Sequence, residues 1–236
     1  MPNWTYTTIE FEGTPEDVEQ IFNTIKGENG IIDFDKIIPA PECIKNTPRL
    51  SGPLAQEVEK YYEKAKSNGR DPIVTLKKSR LPKALKEEET RWNKNREYFS
   101  NLDANNKLYA LEKEMYEKDF METVRNYLTC LKETGCIDWY DWNVDNWGCK
   151  WNANDASRDG NSLSFYTPWS APYPIFHALA KQFTDVPFTV YIDDEFGSGT
   201  RVYEYSYDED EEDVIETFLR EEEYEDYDDD EEYEED

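Results

Sequence analysis

The architecture this sequence predicts is an α+β sandwich, with helices on one face of an antiparallel sheet. Two observations point to it. Short runs rich in β-branched and aromatic residues bracket amphipathic helical patterns, once near the start and again in the second half. The apolar residues also concentrate in those two places, residues 1–45 and 137–207, in a chain that is 37% hydrophobic and 15% aromatic overall. Two strand–helix–strand units joined in this way predict a ferredoxin-like sheet, interrupted by a helical insertion and followed by an acidic tail.

The first element is "WTYTTIEFEG", whose alternation suits a strand. "TPEDVEQIFNTIKGENG" then opens a helix: Thr14 is the N-cap, Pro15 sits at the first helical position, and Asp17 completes a near capping box. Val18, Ile21, Phe22 and Ile25 form its apolar stripe, with Gly27 and Gly30 as the stop. "IIDFDKIIP" reads as a second strand, closed by Pro39 and Pro41. In the second half "SLSFYT" reads as a strand and "SAPYPIFHALAKQF" as a helix that buries Ile175, Phe176, Leu179 and Phe183. "VPFTVYIDD" is a strand with Phe188, Val190 and Ile192 inward, "EFGSGT" turns the chain, and "RVYEYSY" returns as the hairpin partner.

Residues 46–136 are polar with helical periodicity. Leu54, Val58, Tyr61 and Tyr62 mark one helix, and Leu108, Leu111, Met115, Val124, Leu128 and Leu131 mark a longer one ended by Gly135. From Asp208 the chain is low in complexity. Val214, Ile215, Phe218 and Leu219 suggest a short amphipathic helix docked on the body, with disorder expected after about residue 220. The expected domains are therefore 1–45 with 137–207 as the ferredoxin-like domain, 46–136 as the helical insertion, and 208–236 as the tail.

Net charge is −28, and most of it is local: Glu204 to Asp236 hold 21 acidic residues and one basic, Arg220. So acidic a chain is repelled by nucleic acid and anionic membranes, and its natural partners are basic protein surfaces. Four cysteines without a CxxC pair make neither a zinc ribbon nor a disulfide framework, which suits free thiols in a reducing cytosol. The start lacks the pattern of a signal peptide, and no apolar run reaches membrane-spanning length.

Four segments, taken together and in order, carry a likeness: "MPNW", "FDKIIPAP", "WYDWNVDNWGCKWNA" and "FYTPWSAPYPIFHALAKQF". They resemble the YubB-like ferredoxin-fold proteins encoded by phages, prophages and plasmids. The resemblance spans residues 1–45 and 137–207 and implies the fold and a mobile-element origin. It brings no catalytic residues with it, and the charged middle and the acidic tail lie outside it.

Positive signals for catalysis are lacking, and no cofactor or metal is expected. His177 is the single histidine and reads as a structural side chain in a helix. "FGSGT" is a hairpin turn and not a phosphate loop. Trp139, Trp142, Trp147 and Trp151, with Tyr140, suit either a stacking platform or a core, and packing is favoured.

The expectation is a noncatalytic protein acting in a bacterial host cytoplasm. It inhibits a nucleic-acid-binding defence protein of the CRISPR or restriction type by polyanion mimicry. The binding residues would be Asp208, Asp210, Glu211, Glu212, Glu221, Glu222, Glu223, Tyr224, Asp226, Tyr227, Asp228, Asp229 and Asp230. Interleaved tyrosines add amphipathic contacts that solubility alone would not require. The alternative is nucleic-acid binding by the basic stretch "LKKSRLPKALKEEETRWNKNR", through Lys77, Lys78, Arg80, Lys83, Arg91, Lys94 and Arg96, with the tail as an internal competitor.

Overall fold

The computed structural model describes residues 3–28, 30–45, 47–50, 52–101, 110–197 and 199–223. The chain forms two compact units, Met1–Pro39 with Val144–Asp236, and Ala40–Asn143.

The first unit is built on a six-stranded sheet: β1 (Trp4–Phe11), β2 (Asn154–Asp159), β3 (Ser162–Pro168), β4 (Phe188–Asp194), β5 (Gly199–Asp208) and β6 (Asp213–Glu223). The strand order is β2-β3-β1-β4-β5-β6, and every neighbouring pair is antiparallel. Alternation along β1 buries Thr5, Thr7, Ile9 and Phe11 and leaves Trp4, Tyr6, Thr8 and Glu10 on the opposite face. Helices α1 (Pro15–Ile25) and α10 (Tyr173–Gln182), with the short α2 (Phe34–Ile37), supply the apolar layer, burying Ile21, Phe22, Ile25, Phe34, Ile175, Phe176 and Leu179. Thr14 caps α1 in a full capping box with Asp17, as its sequence suggests.

Three elements differ from expectation. "FDKIIP" is the helical turn α2 and not a strand: the Asp33 carboxylate accepts the Asp35 amide at 3.0 Å and caps it, while the Asp33 amide bonds back to the Ile25 carbonyl at 2.8 Å. β2 carries no apolar alternation and is almost wholly exposed, as an edge strand permits, so it left no hydrophobic pattern to read. The segment expected to be an amphipathic helix, with Val214, Ile215, Phe218 and Leu219 on one face, is the strand β6. Asp208 accepts the amides of Asp210 and Glu211 at 2.8 and 3.1 Å, which turns the chain back along β5. Pairing with the open edge of β5 then outweighs the local helical period. A register shift opposite Val202 and Tyr203 lies where Leu219 is the extra residue, so Phe218 meets Tyr203 and Arg220 meets Val202.

The second unit is helical: α3 (Glu42–Lys45), α4 (Pro53–Ser67), α5 (Pro72–Thr75), a 3-10 turn (Lys78–Arg80), α6 (Lys83–Ser100), α7 (Ala110–Glu117) and α8 (Phe120–Thr134), with α9 (Trp139–Trp147) at its C-terminal boundary. Val58, Leu85, Trp92, Val124, Tyr127 and Leu128 lie at the centre of its core. The one long helix expected across Leu108–Leu131 is two, because Asp119 caps a fresh start by accepting the Glu122 amide at 3.0 Å; Leu108 lies outside the described residues. Gly135 ends α8 at φ +80°, the left-handed position glycine favours.

Candidate functional site

The acidic segment enters the structure as part of the sheet. Of the predicted binding residues, Asp208 closes β5, Asp210, Glu211 and Glu212 form the turn, and Glu221, Glu222 and Glu223 end β6; Tyr224, Asp226, Tyr227, Asp228, Asp229 and Asp230 lie outside the described residues. β6 is tied to α10 by a hydrogen bond between His177 Nε2 and Glu216 at 2.7 Å and an ion pair of Lys181 with Asp213 at 3.3 Å. His177 thus links α10 to β6. The Val214 amide and Lys181 hold the Asp213 carboxyl below the ordinary carboxylate value. Among these acids β6 exposes Ile215, Phe218 and Leu219 by 44%, 54% and 43%.

A second surface lies on the face of the sheet away from α1 and α10. One cross-strand row runs Asn154, Tyr166, Tyr6, Asp193, Thr200, Glu222 across all six strands. At its start is a cleft of about 730 Å³. Trp4, Tyr6 and Tyr166 form its aromatic floor, with Tyr6 and Tyr166 centroids 4.8 Å apart and Trp4 edge-on to Tyr166 at 6.5 Å. Asp155, Asp193, Asp194 and Glu195 also line it, and none of its described lining residues is basic. Asp194 accepts Thr5 Oγ1 at 2.7 Å and pairs with Arg201; Glu195 accepts the Trp4 amide at 2.8 Å. Asp155 sits at φ +48° beside a register break in β2, an arrangement that turns it out of the regular pleat. No local sequence pattern signals this cleft, because Trp4 and Tyr166 reach these acids only through strand pairing.

The motif segments prove to be interlocked structure. Asn152 donates to Asp33 at 2.6 Å and accepts the Phe34 amide at 3.0 Å, and Trp147 Nε1 donates to the Ile38 carbonyl at 3.0 Å. Phe34 packs edge-on to both Trp147 and Phe165 at 5.8 Å. Trp142 and Trp147 are buried, as the packing reading expects; Trp151 is 41% exposed.

Residues 146–235 match the family model described as the ferredoxin-like domain in Api92-like protein. This part of the chain is a ferredoxin-like domain. The match runs through the acidic segment. No curated protein matches the chain. It is similar to the crystal structure of a protein api92 from Yersinia pseudotuberculosis, covering 95% of this chain and 100% of that one, at 11% identity and a TM-score of 0.42.

The alternative basic stretch lies outside the ferredoxin-like domain, on the 3-10 turn and α6. Several of its cations are already engaged. Lys78 meets Glu89 at 2.8 Å, Lys83 meets Glu87 at 3.8 Å, and Arg91 meets Glu88 at 2.5 Å. Arg96 donates to the Tyr116 carbonyl at 2.7 Å and to that of Lys118. Lys77, Arg80 and Lys94 are exposed. The described cysteines are free thiols; burial pushes Cys43 and Cys149 up to about 12, which suits inert packing more than nucleophilic chemistry. Among the described residues no helix is long and apolar enough to cross a membrane.

Proposed function

We propose that this chain is a noncatalytic binding protein of the phage, prophage or plasmid kind. In this reading it works in the host cytoplasm, where it occupies the basic groove of a nucleic-acid-binding defence protein. The observation that supports it is that β6, the edge strand of the sheet, places acids on a rigid support. Successive residues of a strand rise about 3.3 Å and point to opposite faces, so Glu221 and Glu222 give each side of this edge strand a carboxylate. Glu221, Glu222 and Glu223 follow one another at the end of β6, and the chain continues acidic from there. Carboxylates in this array take the lysines and arginines that otherwise hold phosphate. Ile215, Phe218 and Leu219 add the apolar contact that a purely electrostatic encounter lacks.

The test is capture from a bacterial host lysate, using the full chain and a variant with Glu221→Gln, Glu222→Gln and Glu223→Gln. The reading expects nucleic-acid-binding proteins to be retained at low salt, released at high salt, and displaced by added duplex DNA. Capture that resists salt and DNA, or that is unchanged in the glutamine variant, overturns it.

A further inference from the structure

We propose that the cleft lined by Trp4, Tyr6 and Tyr166 is a seat for an arginine side chain of a protein partner. Three partly open rings line it with four carboxylates, of which Asp194 pairs with Arg201 and Asp193 accepts Thr200 Oγ1. Aromatic faces attract cations, and a guanidinium both stacks on a ring and donates to carboxylates in its own plane. A nucleobase would also stack there, but its phosphate would enter a cleft lined by Asp155, Asp193, Asp194 and Glu195 with no described cation among the lining residues. Among the described residues no group of three or more His, Cys, Asp or Glu is placed to hold a metal ion.

A second observation marks the same place. Trp169 and Phe196 are 59% and 79% exposed, and both flank the start of β1. The Trp169 amide bonds to the Asn3 carbonyl at 2.8 Å, and Glu195, just before Phe196, bonds through its amide to the Trp4 carbonyl at 3.0 Å. Trp169 is held at φ +75°, in the left-handed region a bulky residue rarely occupies, with its indole turned to solvent. Exposed aromatics beside an aromatic, acidic cleft fit a contact surface that receives a cationic side chain and its flanking peptide.

This site shares a cationic partner with the reading above but lies on a different surface, so the two fail separately. The full chain is titrated with a capped Gly-Arg-Gly peptide while the Trp4 indole resonance is followed by NMR. Parallel arms use the lysine peptide, the neutral citrulline peptide and adenosine monophosphate. The expected result is a saturable Trp4 shift with the arginine peptide, weaker binding of lysine, and at least about tenfold weaker binding of citrulline, as loss of a charged partner implies. Tyr166→Leu and Asp155→Asn should each weaken the arginine peptide several-fold, asparagine being tolerated at the positive φ. The β6 glutamine variant should bind it unchanged. No Trp4 shift, equal binding of citrulline, preference for the nucleotide, or loss in the β6 variant alone would each overturn the assignment.

Discussion

At Gly148 the backbone runs at φ +79°, and an added Cβ would lie 2.7 Å from Pro174 Cδ. Left-handed strain of about 1–2 kcal/mol adds to an overpacking cost of about 1–3 kcal/mol. Gly148→Ala should therefore lower stability by about 2–5 kcal/mol in denaturant unfolding, and a loss under about 0.5 kcal/mol would contradict the packing described. Tyr205 makes the opposite case. It is fully buried, stacked on Phe188 at 5.4 Å, and its hydroxyl meets no hydrogen-bond partner in good geometry although Glu216 lies beside it. Tyr205→Phe should be neutral or stabilising by about 1 kcal/mol, because it removes a desolvated polar group. Burial raises the phenols of Tyr205, Tyr127 and Tyr173 above 10.0, Tyr173 to about 12. The folded chain keeps protons that the unfolded chain releases, so this stabilisation is complete below about pH 10 and declines as pH rises toward the folded values. Unfolding free energy measured from pH 8 upward should fall above about pH 10; a flat profile to pH 12 would be inconsistent.

Among the elements, β6 decides how the acidic segment is presented. Its links to α10 are solvent-exposed contacts, so each contributes little. Lys181→Ala should speed hydrogen exchange in β6 while leaving β1 and β3 protected, and uniform loosening of the sheet would show that the tether is not local. Asp213 titrates below its ordinary 3.8, so its contribution is present above that value and lost as pH falls through the folded value. What the sequence made legible follows periodicity. Thr14, Pro15 and the Val18–Ile25 stripe announce α1, and Phe188, Val190 and Ile192 announce β4. β2 and β6 were missed because an edge strand needs only one neighbour and carries no apolar alternation. The cleft was missed for a related reason: Trp4, Tyr166 and Asp193 are more than 150 residues apart at the extremes and meet only when β1 pairs with β3 and β4.

For the molecule as a whole, charge is the organising quantity. A net −28 with its acids gathered on β6 and the following residues makes a field that sorts partners by sign before any contact forms. Phosphate brought to either surface meets carboxylates of like charge, a repulsion that stacking a base on a ring, about 1–3 kcal/mol, has to overcome. The most direct measurement of the central claim is competition between this chain and duplex DNA for a captured partner, followed from 50 to 200 mM salt. The account predicts mutual exclusion, with affinity falling by at least about tenfold across that range and the fall becoming shallower in the Glu221→Gln, Glu222→Gln, Glu223→Gln variant. Simultaneous binding of chain and DNA, or an affinity indifferent to salt, would contradict it.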